Sequence, residues 1–318
     1  MTASRSVRRF HQLFLALAAA GMIERPVVAV VPFRTVALSG QQPPGTPPGA
    51  RFLRFGSEAN ASFDRALIRA ALEPNAGGVD SLNDSGIWSF DKFRRPDPLE
   101  LHLVALEGSQ APGAPSGAVF DDFVASGPVM NNVGQIVFSG TLRTGSGGVD
   151  ASNRYGIWSG RPGDLELVAR GGDQAPDTPI GAKFDSLFAQ RINGLGRTAF
   201  QATLQLGSGG VTTSNIVGLW SDGLGVLALV ARRGDQAPGA PADAVFEDFD
   251  TGFINDAGRI AFRTRLRTGA GGVDDTVGSD GSGGSGSCGY GVPRCDASGD
   301  TGASGAGGHV AVAEPAGG

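Results

Sequence analysis

The sequence has few of the residues from which most catalytic and metal sites are built. It contains two cysteines and three histidines among 318 residues. No cysteine lies in the recurring part of the chain, which excludes a disulfide-stapled core and a cysteine zinc site there. No histidine position recurs either, so a histidine zinc site or a Ser–His–Asp triad has little material. Catalytic residues and a bound cofactor are therefore not expected.

Long apolar runs and basic surfaces are also lacking. No apolar run approaches the roughly 20 residues that a membrane-spanning helix needs. Arginine and lysine do not gather in a stripe, and the formal net charge is −5. Nucleic acid is therefore not an expected partner. An extracellular protein or a glycan remains as the expected kind of partner, and we expect the chain to be a monomer.

The N-terminus is typical of a secretory signal peptide. Arg5, Arg8 and Arg9 precede a short apolar run over residues 13–23, and Ala18–Ala20 offer a small-residue cleavage site. We therefore predict a signal peptide over residues 1–20 and a protein that is secreted or held at the cell surface. The paired arginines leave a twin-arginine export signal open, and an amphipathic or disordered N-terminus is the alternative.

The chain is rich in internal repetition. The stretch LRTGSGGVDASNRYGIW at 142–158 returns as LEPNAGGVDSLNDSGIW at 72–88 and as LQLGSGGVTTSNIVGLW at 204–220, and its first half returns as LRTGAGGVD at 266–274. Each full copy ends in a tryptophan: Trp88, Trp158 and Trp220. We expect these tryptophans to pack in the core or between units, with a sugar-stacking platform as the alternative.

A second landmark fixes the period of the repeat. A Gln-Pro or Gln-Ala-Pro turn opens each unit, and the units start at Gln42, Gln110, Gln174 and Gln236. The successive steps are therefore 68, 64 and 62 residues. In three units a Pro–Gly pair predicts a type II turn, because glycine accepts a positive φ at its second position. The third unit has Asp177 there, which predicts a different turn.

A hairpin turn with an asparagine three residues before a glycine follows in three units. Its asparagines are Asn131, Asn193 and Asn255, and its glycines are Gly134, Gly196 and Gly258. Short β-branched and aromatic runs flank this turn, and two further strands carry the GIW and LVA sequences. In the first unit, one extra residue is needed to align Ile68 with Phe138. Each unit thus predicts four short strands and no helix.

The fold predicted for residues 34–274 is all-β, a tandem of four-stranded antiparallel sheets. About four propeller-like blades are expected, the last one incomplete, and a β-solenoid is the alternative. Residues 35–40 align with the closing strand of a unit, whereas the fourth unit loses its last two strands after Asp274. The N-terminal strand is therefore predicted to pair into the last sheet and close the ring.

The C-terminal segment, residues 276–318, is rich in glycine and serine and is predicted to be disordered. Because the repeat breaks off in the middle of a unit, a truncated or frameshifted C-terminus is an open alternative. Cys288 and Cys295 lie in this segment. They could form a disulfide in an oxidising compartment, or they could be accidental products of a shifted frame.

The recurring Asn131/Gly134/Phe138 pattern, with GIW and LVAR-x-GD-QAPG between its copies, resembles bacterial secreted or surface proteins that carry tandem NxxGxxAF repeats. The pattern is also present at Asn193 and Asn255. The resemblance covers about residues 34–274, and it implies export and a repetitive β architecture. It implies no catalytic residues. Several such proteins end in an anchoring segment, whereas here no hydrophobic anchor follows the repeats.

The repeated acids are the candidates for a metal site. Oxygen-rich loops could hold Ca²⁺, which takes six to eight oxygen ligands, and the acids after the GGV loops suit this role: Asp80, Asp84, Asp150 and Asp274. The alternative is that these side chains cap their own turns. Adjacent acids such as Asp121 and Asp122 lie in a strand, so we expect them on opposite faces and not as an acid–base pair.

Three classes of function follow. The first, which we prefer, is a secreted, non-catalytic β-repeat scaffold or binding module. The second is a calcium-stabilised surface or adhesion protein. The third is an extracellular carbohydrate-active propeller enzyme, which would need non-repeating carboxylates that converge on one cleft.

Overall fold

A computed structural model describes residues 35–56, 60–62, 65–91, 100–123, 127–250, 252–267 and 309–313. The described residues contain no helix and form four antiparallel sheets. The predicted signal peptide, Asp274, Cys288 and Cys295 lie outside the described residues.

Sheets 1 to 3 are each built from one repeat unit, and sheet 4 combines strands of the fourth unit with one strand of the C-terminal segment. Sheet 1 comprises β1 Phe52–Phe55, β2 Asn60–Ser62, β3 Arg65–Leu72, β4 Ser85–Asp91 and β5 Glu100–Leu106. Sheet 2 comprises β6 Phe120–Phe123, β7 Val129–Met130, β8 Ile136–Leu142, β9 Tyr155–Arg161 and β10 Asp164–Arg170. Sheet 3 comprises β11 Phe184–Ile192, β12 Thr198–Leu204, β13 Val217–Ser221 and β14 Ala228–Arg232. Sheet 4 comprises β15 Phe246–Phe249, β16 Phe253–Ile254, β17 Ile260–Leu266 and β18 His309–Ala313.

The sheets share one topology and one register. In sheet 1 the strand order is β1-β3-β4-β5, and β2 also pairs with β3. Sheets 2 and 3 repeat this order with their own strands. The same cross-strand pair recurs as Ile68 with Trp88, Phe138 with Trp158 and Phe200 with Trp220. The all-β tandem of antiparallel sheets predicted from the sequence is therefore confirmed, and so is the one-residue offset in the first unit.

The core lies between successive sheets, as in the stacked blades of a propeller. Leu67 and Ile87 of sheet 1 pack against Phe120, Phe138 and Trp158 of sheet 2. The same kind of cluster joins sheets 2 and 3 and then sheets 3 and 4. Each internal sheet therefore buries both faces, which explains why its strands are nearly continuously apolar.

Sheet 4 has one polar face. Arg263 and Arg265 alternate with buried residues along β17 and are 69% and 73% exposed. They pair with Asp250 and Asp248 at 2.6 and 3.0 Å. Exposed pairs of this kind add little stability, and they give β17 a charged, solvent-exposed face.

Three expectations need correction. Residues 35–40, predicted as a strand, form no strand and do not close the last sheet: Ala37 packs on the core of sheet 1, and the Gly40 amide donates to the Phe52 carbonyl at 2.7 Å. The edge of β17 is paired instead by β18, five residues of the segment predicted to be disordered. Asp177 adopts φ 58°, so the third unit keeps the turn of the others, because aspartate tolerates the left-handed region.

Candidate functional site

The structure places the three repeated tryptophans inside the sheet stack. Trp88, Trp158 and Trp220 are fully buried. Their indole N–H groups donate to the carbonyls of Pro44, Pro112 and Pro176 at 3.0, 2.9 and 3.2 Å. Each tryptophan therefore ties its sheet to the turn that opens the same unit, and none offers a ring face to a sugar.

The repeated asparagines form a hydrogen-bonded ladder along the stack. The Nδ2 group of Asn131 donates to the Asn193 carbonyl, and Nδ2 of Asn193 donates to the Asn255 carbonyl, both at 2.7 Å. The Oδ1 atoms of these side chains accept amides from their own turns. The asparagine therefore both shapes its hairpin turn and links one sheet to the next.

The glycines of these turns are required by space and by backbone conformation. Gly134, Gly196 and Gly258 have φ of 82°, 85° and 76°. A Cβ on Gly134 would lie 1.9 Å from Oδ2 of Asp91 in sheet 1, and one on Gly258 would lie 2.4 Å from the Gly223 carbonyl oxygen. The NxxG motif thus marks a turn that is crowded by its neighbour.

The repeated acids proposed as calcium ligands cap their own turns. Asp80 Oδ1 accepts the Leu82 amide at 2.8 Å, and Asp150 Oδ1 accepts both the amide and the hydroxyl of Ser152. The Ser152 hydroxyl is the main reason that the pKa of Asp150 lies below its ordinary value. In the described part of the chain, no three His, Cys, Asp or Glu side chains are grouped as metal ligands would be.

Asp84 lies elsewhere, in a cavity between sheets 1 and 2. We call this space the first-junction cavity; its volume is about 460 Å³. The ends of β1, β3 and β4 line one side, and β6 lines the other. Its charged lining residues are Arg54, Arg69, Asp84, Glu107, Asp121 and Asp122.

The cavity exists because small residues stand at this junction. Ala71 and Ser85 are paired on neighbouring strands of sheet 1 and both line the cavity. The equivalent pair in sheet 2 is Thr141 with Tyr155, and in sheet 3 it is Thr203 with Val217. Tyr155 and Val217 pack against the hydrophobic clusters of the following junctions. Larger side chains thus fill the space that Ser85 leaves open.

The charges of the cavity belong to the first junction and do not recur as a set. Glu107 is replaced by Gly171 and Arg233 in the next units, and Asp84 is replaced by Arg154 and Ile216. Asp121 and Asp122, expected on opposite faces, both line the cavity because a bulge interrupts the register of β6 with β8. In the sequence, the acids of this cavity are therefore marked by their departure from the repeat. Glu107 was missed because the candidate acids were chosen for their repetition.

Glu107 is the most strongly perturbed group in the cavity. Only 6% of it is exposed. Its Oε2 accepts the Asp84 amide at 3.1 Å, and its Oε1 lies 3.7 Å from Nη2 of Arg143. Burial raises the pKa of Glu107 from 4.5 to about 7, and the charge of Asp84 adds to the rise while Arg143 opposes it. Near neutral pH this carboxyl therefore exchanges a proton.

The raised pKa of Glu107 predicts a pH-dependent stability. Between pH 4.5 and about 7 the folded state holds a proton that the unfolded state releases, so stability falls as the pH rises through this window. Glu107→Gln cannot ionise. Its free energy of unfolding is therefore expected to exceed that of the wild type by about 1–3 kcal/mol at pH 8 and to be nearly the same at pH 4.5. Urea titrations at both pH values measure this difference.

Glu166→Gln supplies the control, because Glu166 is an exposed residue of β10. It should follow the wild type at both pH values. If the free energy of unfolding varied with pH in the same way for the wild type and Glu107→Gln, Glu107 would not hold a proton in the folded protein.

A second non-repeating cluster lies at another edge of the same junction. The buried carboxylate of Asp91 in sheet 1 pairs with Arg65 at 2.5 Å and lies 3.8 Å from Arg161 of sheet 2. Arg161 also donates to the Val133 carbonyl. Since these groups satisfy one another across the junction, we assign them to holding the two sheets together.

A family model described as "Family of unknown function (DUF7453)" matches residues 31–148 and residues 67–278. The two ranges overlap and together span the repeats. No curated protein matches the chain significantly. In the part of the chain that the structure describes, no helix is long and apolar enough to cross a membrane.

Proposed function

The chain belongs to the DUF7453 family of unknown function, and on that premise we propose that it is a secreted, non-catalytic β-repeat scaffold that serves as a binding module. The observation that supports this proposal is that the repeated and the non-repeating polar side chains have different roles. The repeated Trp, Asn, Gln and Asp side chains form hydrogen bonds within turns and between sheets. Non-repeating charges instead line a cavity at one junction.

The Gln-Pro turns illustrate how completely the repeated side chains are used. Gln110 Nε2 donates to the carbonyls of Ala111 and Pro115, and its Oε1 accepts the Gly117 amide at 2.8 Å. Gln42 and Gln174 make the equivalent bonds in their own units. A side chain that closes its own loop in this way is not available for chemistry.

A carbohydrate-active enzyme is the second candidate, and one observation favours it. A carboxyl group with a pKa near neutrality beside other carboxylates can act as a general acid, and Glu107 lies near Asp84 and Asp121. The calcium-stabilised surface protein has less support, because Asp80 and Asp150 use their carboxylates within their own turns.

The test has two readouts. The full chain, expressed in a bacterial host, is expected in the periplasm or the medium and to be shortened near Ala20, as mass spectrometry of the mature protein would show. Purified protein is expected to release no nitrophenol from a panel of nitrophenyl glycosides. Retention of an uncleaved chain in the cytoplasm would contradict export. Glycoside turnover by the wild type that is lost in Glu107→Gln would contradict the binding module and support the carbohydrate-active enzyme.

A further inference from the structure

We propose that the first-junction cavity binds a small zwitterion, whose ammonium group lies at Asp84 and Glu107 and whose carboxylate lies at Arg54. The inference rests on the proposed binding function and names the class of ligand. It stands on the placement of the charged groups, on which of them are already paired, and on the size of the cavity.

The two ends of the site lie at opposite edges of sheet 1. Arg54 on β1 is paired with Ala71 on β3, and Ala71 is paired with Ser85 on β4. The Glu107 amide donates to the Ser85 carbonyl at 2.9 Å. The row from Arg54 to Glu107 therefore crosses three strand spacings, about 14 Å between backbones. The long side chains at the two ends shorten this span to the length of a small molecule.

Part of the charge in the cavity is already neutralised. Arg69 pairs with Asp122 at 2.9 Å, and Arg143 lies 3.5 Å from Asp121. Arg143 also donates to the Leu82 carbonyl at 2.6 Å, which anchors it at the wall. These groups shape the cavity and leave little charge for a ligand.

The charges of Asp84 and Arg54 are not paired within the described part of the chain. No described residue donates a hydrogen bond to the carboxylate of half-buried Asp84 or accepts one from the guanidinium of exposed Arg54. Glu107 Oε2 accepts the Asp84 amide, and its Oε1 lies 3.7 Å from Arg143, beyond hydrogen-bond reach. Acids at one end and a cation at the other match a zwitterion.

The cavity has the size and walls for such a ligand. Its volume of about 460 Å³ falls within the roughly 300–1,000 Å³ usual for small-molecule sites. Ala71 and Ser85 form its floor between the charged ends, and Phe55 offers an apolar wall. An alkyl chain between an ammonium group and a carboxylate fits this order of surfaces.

Titration of Glu107 makes the affinity pH-dependent. The charged groups that face it are Asp84 before β4, Asp121 on β6 and Arg143 after β8. Above pH 7 the Glu107 carboxylate accepts a charge-assisted hydrogen bond from an ammonium group. Below pH 7 it becomes protonated, so the ammonium end is expected to bind more weakly at pH 6 than at pH 8.

Three probes of equal chain length separate the two ends. Isothermal titration of the full chain at pH 8 would compare 6-aminohexanoate, hexylamine and hexanoate. We expect the zwitterion to bind about 10-fold more tightly than either single-ended probe, because each end adds a charge-assisted hydrogen bond. Hexylamine that binds as tightly as 6-aminohexanoate would overturn the role of Arg54, and with it the proposal.

Variants test the site itself. Glu107→Gln and Arg54→Gln are each expected to lower the affinity for 6-aminohexanoate about 10-fold, whereas the exposed Glu166→Gln should leave it unchanged. Ser85→Tyr places in the cavity the side chain that fills the second junction, and it should abolish binding. Ala71→Thr, the residue found at both later junctions, is the milder variant if Ser85→Tyr fails to fold, and it should weaken binding.

The outcomes distinguish this proposal from the proposed function. If none of the three probes binds, or if Ser85→Tyr folds and still binds 6-aminohexanoate, the zwitterion site is overturned, while export and the absence of glycoside turnover stand on their own measurements. If the protein proves to be a glycosidase or to stay in the cytoplasm, the proposed function fails whatever the titration shows about the chemistry of the site.

Discussion

Trp158→Ala is expected to lower the free energy of unfolding by about 3–5 kcal/mol. Trp158 is fully buried. Its ring lies 4.9 Å from Phe120 in an edge-to-face arrangement and 5.9 Å from Phe138 in a stacked one. Truncation would leave a cavity at the first junction and leave the Pro112 carbonyl without its indole donor. Urea unfolding followed by circular dichroism measures the loss.

Trp158→Phe separates packing from hydrogen bonding. It keeps an aromatic ring between the two phenylalanines but loses the N–H group, so we expect a smaller loss of about 1–2 kcal/mol. A change below 1 kcal/mol for Trp158→Ala would show that the ring does not fill the junction. Because stability in a stack of repeats is carried between neighbours, the alanine variant should also broaden the unfolding transition.

The sheets could be predicted because three copies of the unit and the beginning of a fourth agree. A single copy shows only short apolar runs, in which strand and buried helix are hard to separate. The copies place an aromatic or β-branched residue at the same step from each turn, and this register survives even where the first unit is degenerate. Ile68 faces Trp88 in sheet 1 as Phe138 faces Trp158 in sheet 2.

The place of the N-terminal segment could not be predicted. Residues 35–40 align with a closing strand, and the alignment is right locally: Gly40 bonds to Phe52 just as Gly108 bonds to Phe120. Alignment identifies such contacts within a unit, because they repeat. It carries no information on which sheet supplies the other edge, and β17 is paired by the tail strand β18.

The cavity was missed for a related physical reason. In a repeat protein, the residues that recur are those that every sheet needs in order to fold and stack. Acids such as Asp80 and Asp150 recur because they cap turns. The space at the first junction depends on small residues, Ala71 and Ser85, whose effect is visible only when the facing sheet is in place.

The second large effect is expected at the asparagine ladder. Asn193→Ala should lower the free energy of unfolding by about 2–4 kcal/mol. The side chain of Asn193 is buried. Its Oδ1 accepts the amides of Leu195 and Arg197 at 3.0 and 2.8 Å, and its Nδ2 donates to the Asn255 carbonyl at 2.7 Å. Alanine would leave these groups without their partner inside the stack, as urea unfolding would register.

The chain supplies the matched control at the end of the ladder. Asn255 is exposed, and its Oδ1 accepts the Arg259 amide at 3.0 Å within its own turn. Asn255→Ala removes a turn bond only, so we expect a loss of about 0.5–1 kcal/mol. Asn193→Asp keeps the acceptor for the turn but removes the donor to the next sheet, and it should fall between the two. Equal losses at positions 193 and 255 would mean that the asparagines shape turns without joining sheets. In that case the sheets would be joined by their apolar clusters and by polar links such as that of Asp91 with Arg161.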